Sequence, residues 1–296
     1  MLGTIIGDMV GSMYEFNNAK SKGKGTLDPD KCKDFPILDP RMRMTDDSLL
    51  TIAVAKTLMA HCSMVYTDEG VKRFQDDLAK EFVRTWKSHI GAGFGGMFYQ
   101  WCSLCHDKKQ RMPAYGSFGN GGPMRISPVA WVAQSEEELK RLSRIVTEIT
   151  HDHVEGIKGA EAVALAIYLA LHGASKEEIR RRMVSEYYPE IETLDFADLV
   201  SNYRFSSSCM GSVPQAIYCF LISKDMEDAI RNCVAIGGDT DTIGAMCGGI
   251  AEAYYQKDSL SSFEDEFLYF MIDPEVESLI EDFHHMIGSH KMESKK

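Results

Sequence analysis

The chain alternates apolar-rich stretches with shorter polar breaks, and the spacing inside the stretches is helical. Residues 70–87 carry Val71, Phe74, Leu78, Phe82, Val83 and Trp86, the i, i+3, i+4, i+7 pattern of an amphipathic helix. Residues 45–60 hold Leu49, Leu50, Ile52, Ala53, Val54, Ala55, Leu58 and Met59. That is too many apolar positions for a surface helix, so this one is predicted to be largely buried, with Thr45, Asp46 and Asp47 as its capping run. The same periodicity predicts helices over 136–149, 159–171, 176–186, 213–222 and 226–236. Residues 238–255 are rich in Gly and Ala, which permits close helix–helix approach although glycine weakens an isolated helix. Runs of β-branched residues at period two are missing, so the predicted class is all-α.

The breaks carry information too. Residues 17–44 form a long polar connection with Pro29, Pro36 and Pro40. Residues 91–96 read GAGFGG, residues 116–122 read GSFGNGG, and residues 201–212 form another polar connection with Ser206, Ser207 and Ser208. Long loops inside a compact domain are usually functional. The sequence has no internal repeat and no linker composition, so one domain over 1–296 is expected, with a frayed tail over 288–296.

Composition narrows the partners. The 296 residues include 32 Lys+Arg against 44 Asp+Glu, a formal net charge of −12. Phosphate backbones and anionic lipid surfaces both need a basic face, so nucleic acid and membrane are not expected as main partners, although a local site can depart from the average. No stretch reaches the roughly 18 apolar residues of a spanning helix. The apolar N-terminal run lacks a positively charged start and is interrupted by Asp8, so a cytoplasmic protein, and a monomer, is expected. The 8 cysteines are dispersed, several in apolar helical stretches, which suits reduced buried thiols. Cys102-Ser103-Leu104-Cys105-His106 has the spacing of a haem attachment site. Covalent attachment requires export, so these are read as two helix or loop thiols and an exposed histidine.

Two acidic runs stand out. Thr45-Asp46-Asp47-Ser48 opens one buried helix, and Gly237-Gly238-Asp239-Thr240-Asp241-Thr242 opens the Gly/Ala-rich one. Asp and Thr at helix starts are favourable caps, worth about 1 kcal/mol each, and by themselves need no metal. One cap, however, needs one acceptor. Two carboxylates at each start, flanked by apolar sequence, repel unless a cation neutralises them, and their oxygens suit hard cations. Together the runs point to a shared metal site. A calcium-binding EF-hand loop from Asp239 fails, because Ile243 and Ile250 stand where ligands are required. The Gly-spaced segment ending at Glu15 offers a third acid, whereas Asp8 reads equally well as a helix-surface residue. The loop Ser117-Phe118-Gly119-Asn120-Gly121 presents backbone N–H groups unobstructed by side chains, suited to a phosphate, and is also compatible with an ordinary turn. His151 and His153, read bare, are a helix-end pair.

On these motifs the sequence resembles the ADP-ribosylglycohydrolase family. The matching segments are IIGDMVGSMYEF (5–16), MTDDSLLTIAVA (44–55), GAGFGG (91–96), GSFGNGGPMR (116–125), THDH (150–153) and IGGDTDTIGAMCGGIAEAYY (236–255), in the family's order. The resemblance implies an all-α orthogonal helical bundle with two Mg²⁺ (or Mn²⁺) ions in a central cleft. By motif position the ligands would be Glu15, Thr45, Asp46, Asp47, Asp239, Asp241 and Thr242, with Glu15, Asp46, Asp47 and Asp239 serving catalysis. It further implies that Gly93, Phe94 and Gly95 line the ribose side, that Ser117, Gly119, Asn120, Gly121 and His151 contact the diphosphate, and that Phe118 stacks on adenine. The implied reaction is hydrolysis of the ribose C1 bond of an ADP-ribosylated protein or small acceptor, releasing ADP-ribose. Arginine linkage is the first expectation, with serine-linked or small-molecule acceptors, or a non-catalytic ADP-ribose-binding module, as alternatives.

Overall fold

A computed structural model describes residues 1–15, 28–61, 65–255, 267 and 272–293. Within them lie α1 (Leu2–Ser12), α2 (Pro29–Cys32), α3 (Asp46–His61), α4 (Asp68–Ser88), α5 (Gly96–Lys108), α6 (Ser127–Val132), α7 (Glu136–Thr147) and α8 (Val154–Leu171). They are followed by α9 (Lys176–Glu186), α10 (Phe196–Asn202), α11 (Cys209–Ile222), α12 (Met226–Ile236), α13 (Thr240–Tyr255) and α14 (Pro274–Glu293). Short 3₁₀ turns cover Pro123–Arg125 and Pro189–Thr193. Among the described residues there is no strand, only an isolated antiparallel bridge between Gly119 and Ser208. The fold is all-α.

Each helix expected from periodicity is present, and the differences lie at the ends. α8 begins at Val154 rather than 159, because the His153 ring accepts the Glu155 N–H at 3.1 Å and starts the helix on an exposed turn that carries no apolar period. The connection expected over 201–212 shrinks to residues 203–208: α10 runs to Asn202, and Ser208 caps α11 by accepting the Gly211 N–H at 3.2 Å. α2, α5, α10 and α14 are not among the helices the sequence predicts, and the α14 backbone stays helical to Glu293, where a frayed tail was expected from 288. Residues 294–296 lie outside the described residues, as do Cys62 and residues 17–27 of the long polar connection. Cys102 and Cys105 sit one turn apart on α5, both buried, which is the helix-thiol reading. No helix among the described residues is long and apolar enough to cross a membrane.

One contact positions everything that follows. α1 lies antiparallel against α13, with Gly3, Gly7 and Gly11 facing Gly248, Gly244 and Thr240 in turn. A Cβ on Gly7 would fall 1.9 Å from the Gly244 carbonyl oxygen, so the two backbones touch. Thr240 donates its hydroxyl to the Gly11 carbonyl at 2.8 Å. At the other end buried Glu252 accepts the Leu2 and Gly3 N–H groups at 3.0 and 2.9 Å, capping α1 from a neighbouring helix. The result sets Asp8 and the turn bearing Glu15 against the start of α13.

Candidate metal centre

Three local features deliver carboxylates to one place. The first is the tight α1–α13 contact, which brings Asp8 and Glu15 to Asp239 and Asp241. The second is the turn ahead of Asp239: Gly237 and Gly238 have φ of 70° and 82°, and a Cβ on Gly238 would strike the Tyr203 ring. The third is the N-terminus of α3, where the Asp46 N–H donates to the Ala92 carbonyl at 2.9 Å, joining the TDD run to the GAGFGG loop.

The carboxylates fall into two overlapping groups. Oxygens of Asp8, Asp47 and Asp241 lie within 4.8 Å of one another, and so do oxygens of Glu15, Asp239 and Asp241. Asp241 belongs to both. Asp46 stands outside these trios, part-exposed on the cleft wall. Thr45 and Thr242 are buried beside them. Burial raises Asp46, Asp47 and Asp239 well above the usual carboxylate range, and the neighbouring Asp241 charge adds to it in each case. Asp8 and Glu15 rise to about 7, first through burial and then through Asp241; Arg43 partly offsets this at Glu15.

Hydrogen bonding shows what the protein alone leaves unmet. Asp8 is saturated: it accepts the Thr45 N–H at 2.9 Å, the Thr45 hydroxyl at 2.6 Å, the Ser48 N–H at 3.0 Å and the Ser48 hydroxyl. Asp47 is not. The Thr45 hydroxyl also lies 3.0 Å from its Oδ2, but a hydroxyl has one proton and Asp8 is the closer acceptor. Asp47 Oδ1 is buried with no partner. An ionised carboxylate in that position costs heavily unless a cation takes the free lone pairs. The donor set, all oxygen and acid-rich, fits hard divalent cations.

The cleft of about 490 Å³ opens over this centre. Gly93, Gly95, Ser117, Gly119, Asn120, Gly121 and His151 line it, together with every expected metal ligand. Two expected residues do not line it: Phe94 packs on Phe98, with rings 5.7 Å apart, and Phe118 sits exposed against His153, 5.5 Å away. The glycine-rich loop is anchored at both its backbone and its one amide. Asn120 N–H donates to Ser207 O at 2.9 Å and its Nδ2 donates to Asp239 Oδ2 at 2.7 Å. His151 is buried, its Nδ1 2.8 Å from the Thr150 hydroxyl, and burial with the Arg125 charge holds it well below the usual imidazole range, hence neutral. A Cβ on Gly121 would lie 2.9 Å from His151 Nε2, so only glycine lets the loop close onto that ring.

Sequence reasoning left Asp8 without a role, although a lone acid inside an apolar helix is the signal that could have found it. It also passed over Arg125, fully buried with its guanidinium 4.4 Å from the Phe82 ring and donating to Thr150 at 2.6 Å, and over Arg43, Tyr115 and Phe205, which line the cleft.

A buried, oxygen-only acidic centre at the floor of a cleft, on a bundle without strands among the described residues, defines an all-α protein whose carboxylates could hold metal ions. A family model described as ADP-ribosylglycohydrolase matches residues 1–289. The chain belongs to the ADP-ribosylglycohydrolase family and is a glycohydrolase. It is 27% identical over 318 residues to the ADP-ribosylhydrolase ARH3 of Homo sapiens, covering 88% of this chain and 85% of that one. The Mus musculus ARH3 is also 27% identical, over 86% of this chain and 82% of its own. An ADP-ribosylarginine hydrolase, Tri1 of Pseudomonas putida, is 24% identical over 46% of this chain and 38% of its own. A solved structure titled ADP-ribosylglycohydrolase-related protein complex superposes with a TM-score of 0.72 at 22% identity, over 97% of this chain and 95% of that one, which shows the shared fold.

Proposed function

We propose that the protein hydrolyses the bond between ribose C1 of ADP-ribose and an acceptor, with two Mg²⁺ ions (or Mn²⁺) held by Glu15, Thr45, Asp46, Asp47, Asp239, Asp241 and Thr242. The observation that carries this reading is the pair of carboxylate trios sharing Asp241, with Asp47 Oδ1 unpartnered beside them. Bound there, divalent cations supply Lewis-acid polarisation and an activated water. The chain's own groups do the rest. Asp8 holds Thr45 and Ser48 in register at the start of α3, and Asn120 fixes the rotamer of Asp239. Backbone amides of 117–121 other than those of Gly119 and Asn120, which are already bonded within the protein, receive the diphosphate together with neutral His151. Half-buried Glu15 at the cleft wall, with Asp46, Asp47 and Asp239, supplies the carboxylates for proton transfer and substrate orientation. The same reading takes 1–296 as one domain, supported by the family match over 1–289.

For the acceptor, arginine linkage is supported by the resemblance to a protein named as an ADP-ribosylarginine hydrolase. A second reading, a different acceptor, is supported by the ARH3 relatives, which cover nearly twice as much of the chain. The test is a panel of ADP-ribosyl-arginine and ADP-ribosyl-serine peptides, each with Mg²⁺ or with EDTA. ADP-ribose release that needs the metal supports the reaction, and the preferred peptide identifies the acceptor. Release unchanged by EDTA overturns the metal assignment; binding of ADP-ribose without release from any peptide overturns the enzyme reading in favour of a binding module.

A further inference from the structure

A basic cavity of this acidic chain lies away from the cleft. Its volume is about 900 Å³, and it opens between α4 and the end of α5, walled by Lys72, Lys80, Arg84, Lys87, Lys109 and Arg111, with Asp76 as its one acid. That is six cations to one carboxylate in a chain whose net charge is −12. Three of the cations have partners: Lys80 pairs with Asp77 and Arg111 with Asp76, both at 2.7 Å, and Arg84 lies 3.6 Å from Glu81. Among the described residues Lys72, Lys87 and Lys109 have no carboxylate partner.

The unpaired cations face the cavity together with a second basic group. Lys87 Nζ lies 3.4 Å from His106 Nε2, so an ammonium leans on an imidazole where an acid would ordinarily sit. Lys109 caps α5 with φ 54°, the one non-glycine positive φ among the described residues. A left-handed lysine costs about 1 kcal/mol that a glycine there would not. Arg111, tied to Asp76, fixes one wall across the two elements. The floor is uncharged, made by Ala79, Val83 and Cys105. A concave site with an apolar floor and a multiply cationic rim matches a ligand that carries several phosphates close together.

We infer that this cavity binds a small polyphosphorylated molecule, a nucleoside polyphosphate or inorganic polyphosphate, at a site separate from the cleft. The separation follows from α5: Gly96 lines the cleft and His106 lines the cavity, ten residues or about 15 Å along one helix. The cleft has a phosphate-receiving loop of its own, so it is the part of the binding that depends on Lys87 and Lys109 that reports the cavity.

Calorimetry of the intact chain with sodium tripolyphosphate and with ATP, in buffer without divalent metal, tests this. Wild type binds, and the double variant Lys87→Glu/Lys109→Glu binds at least about tenfold more weakly, as two charge reversals beside a polyanion require. Lys31→Glu, which removes an exposed lysine elsewhere, leaves binding unchanged. A Lys87/Lys109-dependent component stronger for ATP than for tripolyphosphate identifies a nucleotide; an equal component identifies polyphosphate. No wild-type binding, binding unaltered in the double variant, or an equal loss in Lys31→Glu overturns the proposal. None of these readings depends on hydrolytic activity, so they stand apart from the test of the proposed reaction.

Discussion

Thr45 gives Asp8 both of its donors, the backbone N–H at 2.9 Å and the hydroxyl at 2.6 Å, across 37 positions of sequence. Through this pair α1 sets the geometry of the α3 N-terminus, and Asp8 becomes the orienting partner of residues expected to bind metal. Asp8→Asn puts an NH₂ among four donors that need acceptors. The expected result is a 10–100-fold weaker affinity for Mg²⁺ or Mn²⁺, in the range of roughly what loss of an outer-sphere partner causes, with the circular dichroism retained. A metal titration checks it, and affinity equal to wild type would sink the orienting role.

Asp241 belongs to both carboxylate trios, whereas Asp47 belongs to one. Metal stoichiometry should therefore separate them. Asp47→Ala is expected to keep one site, and Asp241→Ala to lose both along with turnover. Two ions retained in Asp241→Ala, counted by elemental analysis of dialysed protein, would contradict the shared-ligand geometry.

Acid groups buried together make the metal-free chain sensitive to pH. Asp8 and Glu15 titrate near about 7 and Asp46, Asp47 and Asp239 are also raised, against ordinary unfolded values of 3.8 for Asp and 4.5 for Glu. The folded chain thus holds more protons than the unfolded one above those ordinary values. Stability in EDTA is fully present at the acid end and is lost as pH rises through about 7, by up to about 1.4 kcal/mol per pH unit for each fully buried group. Melting temperatures at about pH 5 and about pH 8 should fall with pH in EDTA and fall much less with Mg²⁺. A melting temperature in EDTA that rises over that interval would refute this account of the centre.

The α1–α13 contact leaves no room for a methyl group at its middle. Gly7→Ala drives a Cβ to 1.9 Å from the Gly244 carbonyl, so the helices must separate. The expected cost is about 3 kcal/mol by denaturant unfolding, the upper part of the overpacking range. Gly95→Ala, whose Cβ meets nothing within 4 Å, is the control and should change stability by less than about 1 kcal/mol.

The helices were legible because burial on one face imposes a 3.6-residue period, and that signal survives without any knowledge of neighbours. Helix ends were less legible. His153 and Ser208 act as caps through single side-chain hydrogen bonds that carry no period, and α5 starts inside a glycine run that reads as a break. The acidic runs were legible for a different reason: adjacent carboxylates in apolar sequence are an electrostatic conflict wherever they fold.

What one sequence determined by itself was the class of the fold, the family, and the residues bearing acid. Tertiary structure decided which acids meet. Asp8 and Glu15 reach Asp239 and Asp241 only because glycines more than 200 positions apart let two backbones touch; the Gly/Ala-rich segment permits a close approach but does not say to which helix. The same holds for charge. A net −12 is a sum over the chain, and only folding could gather six cations around one cavity while gathering the carboxylates into another, since Coulomb interactions act over distances in space and not along the sequence.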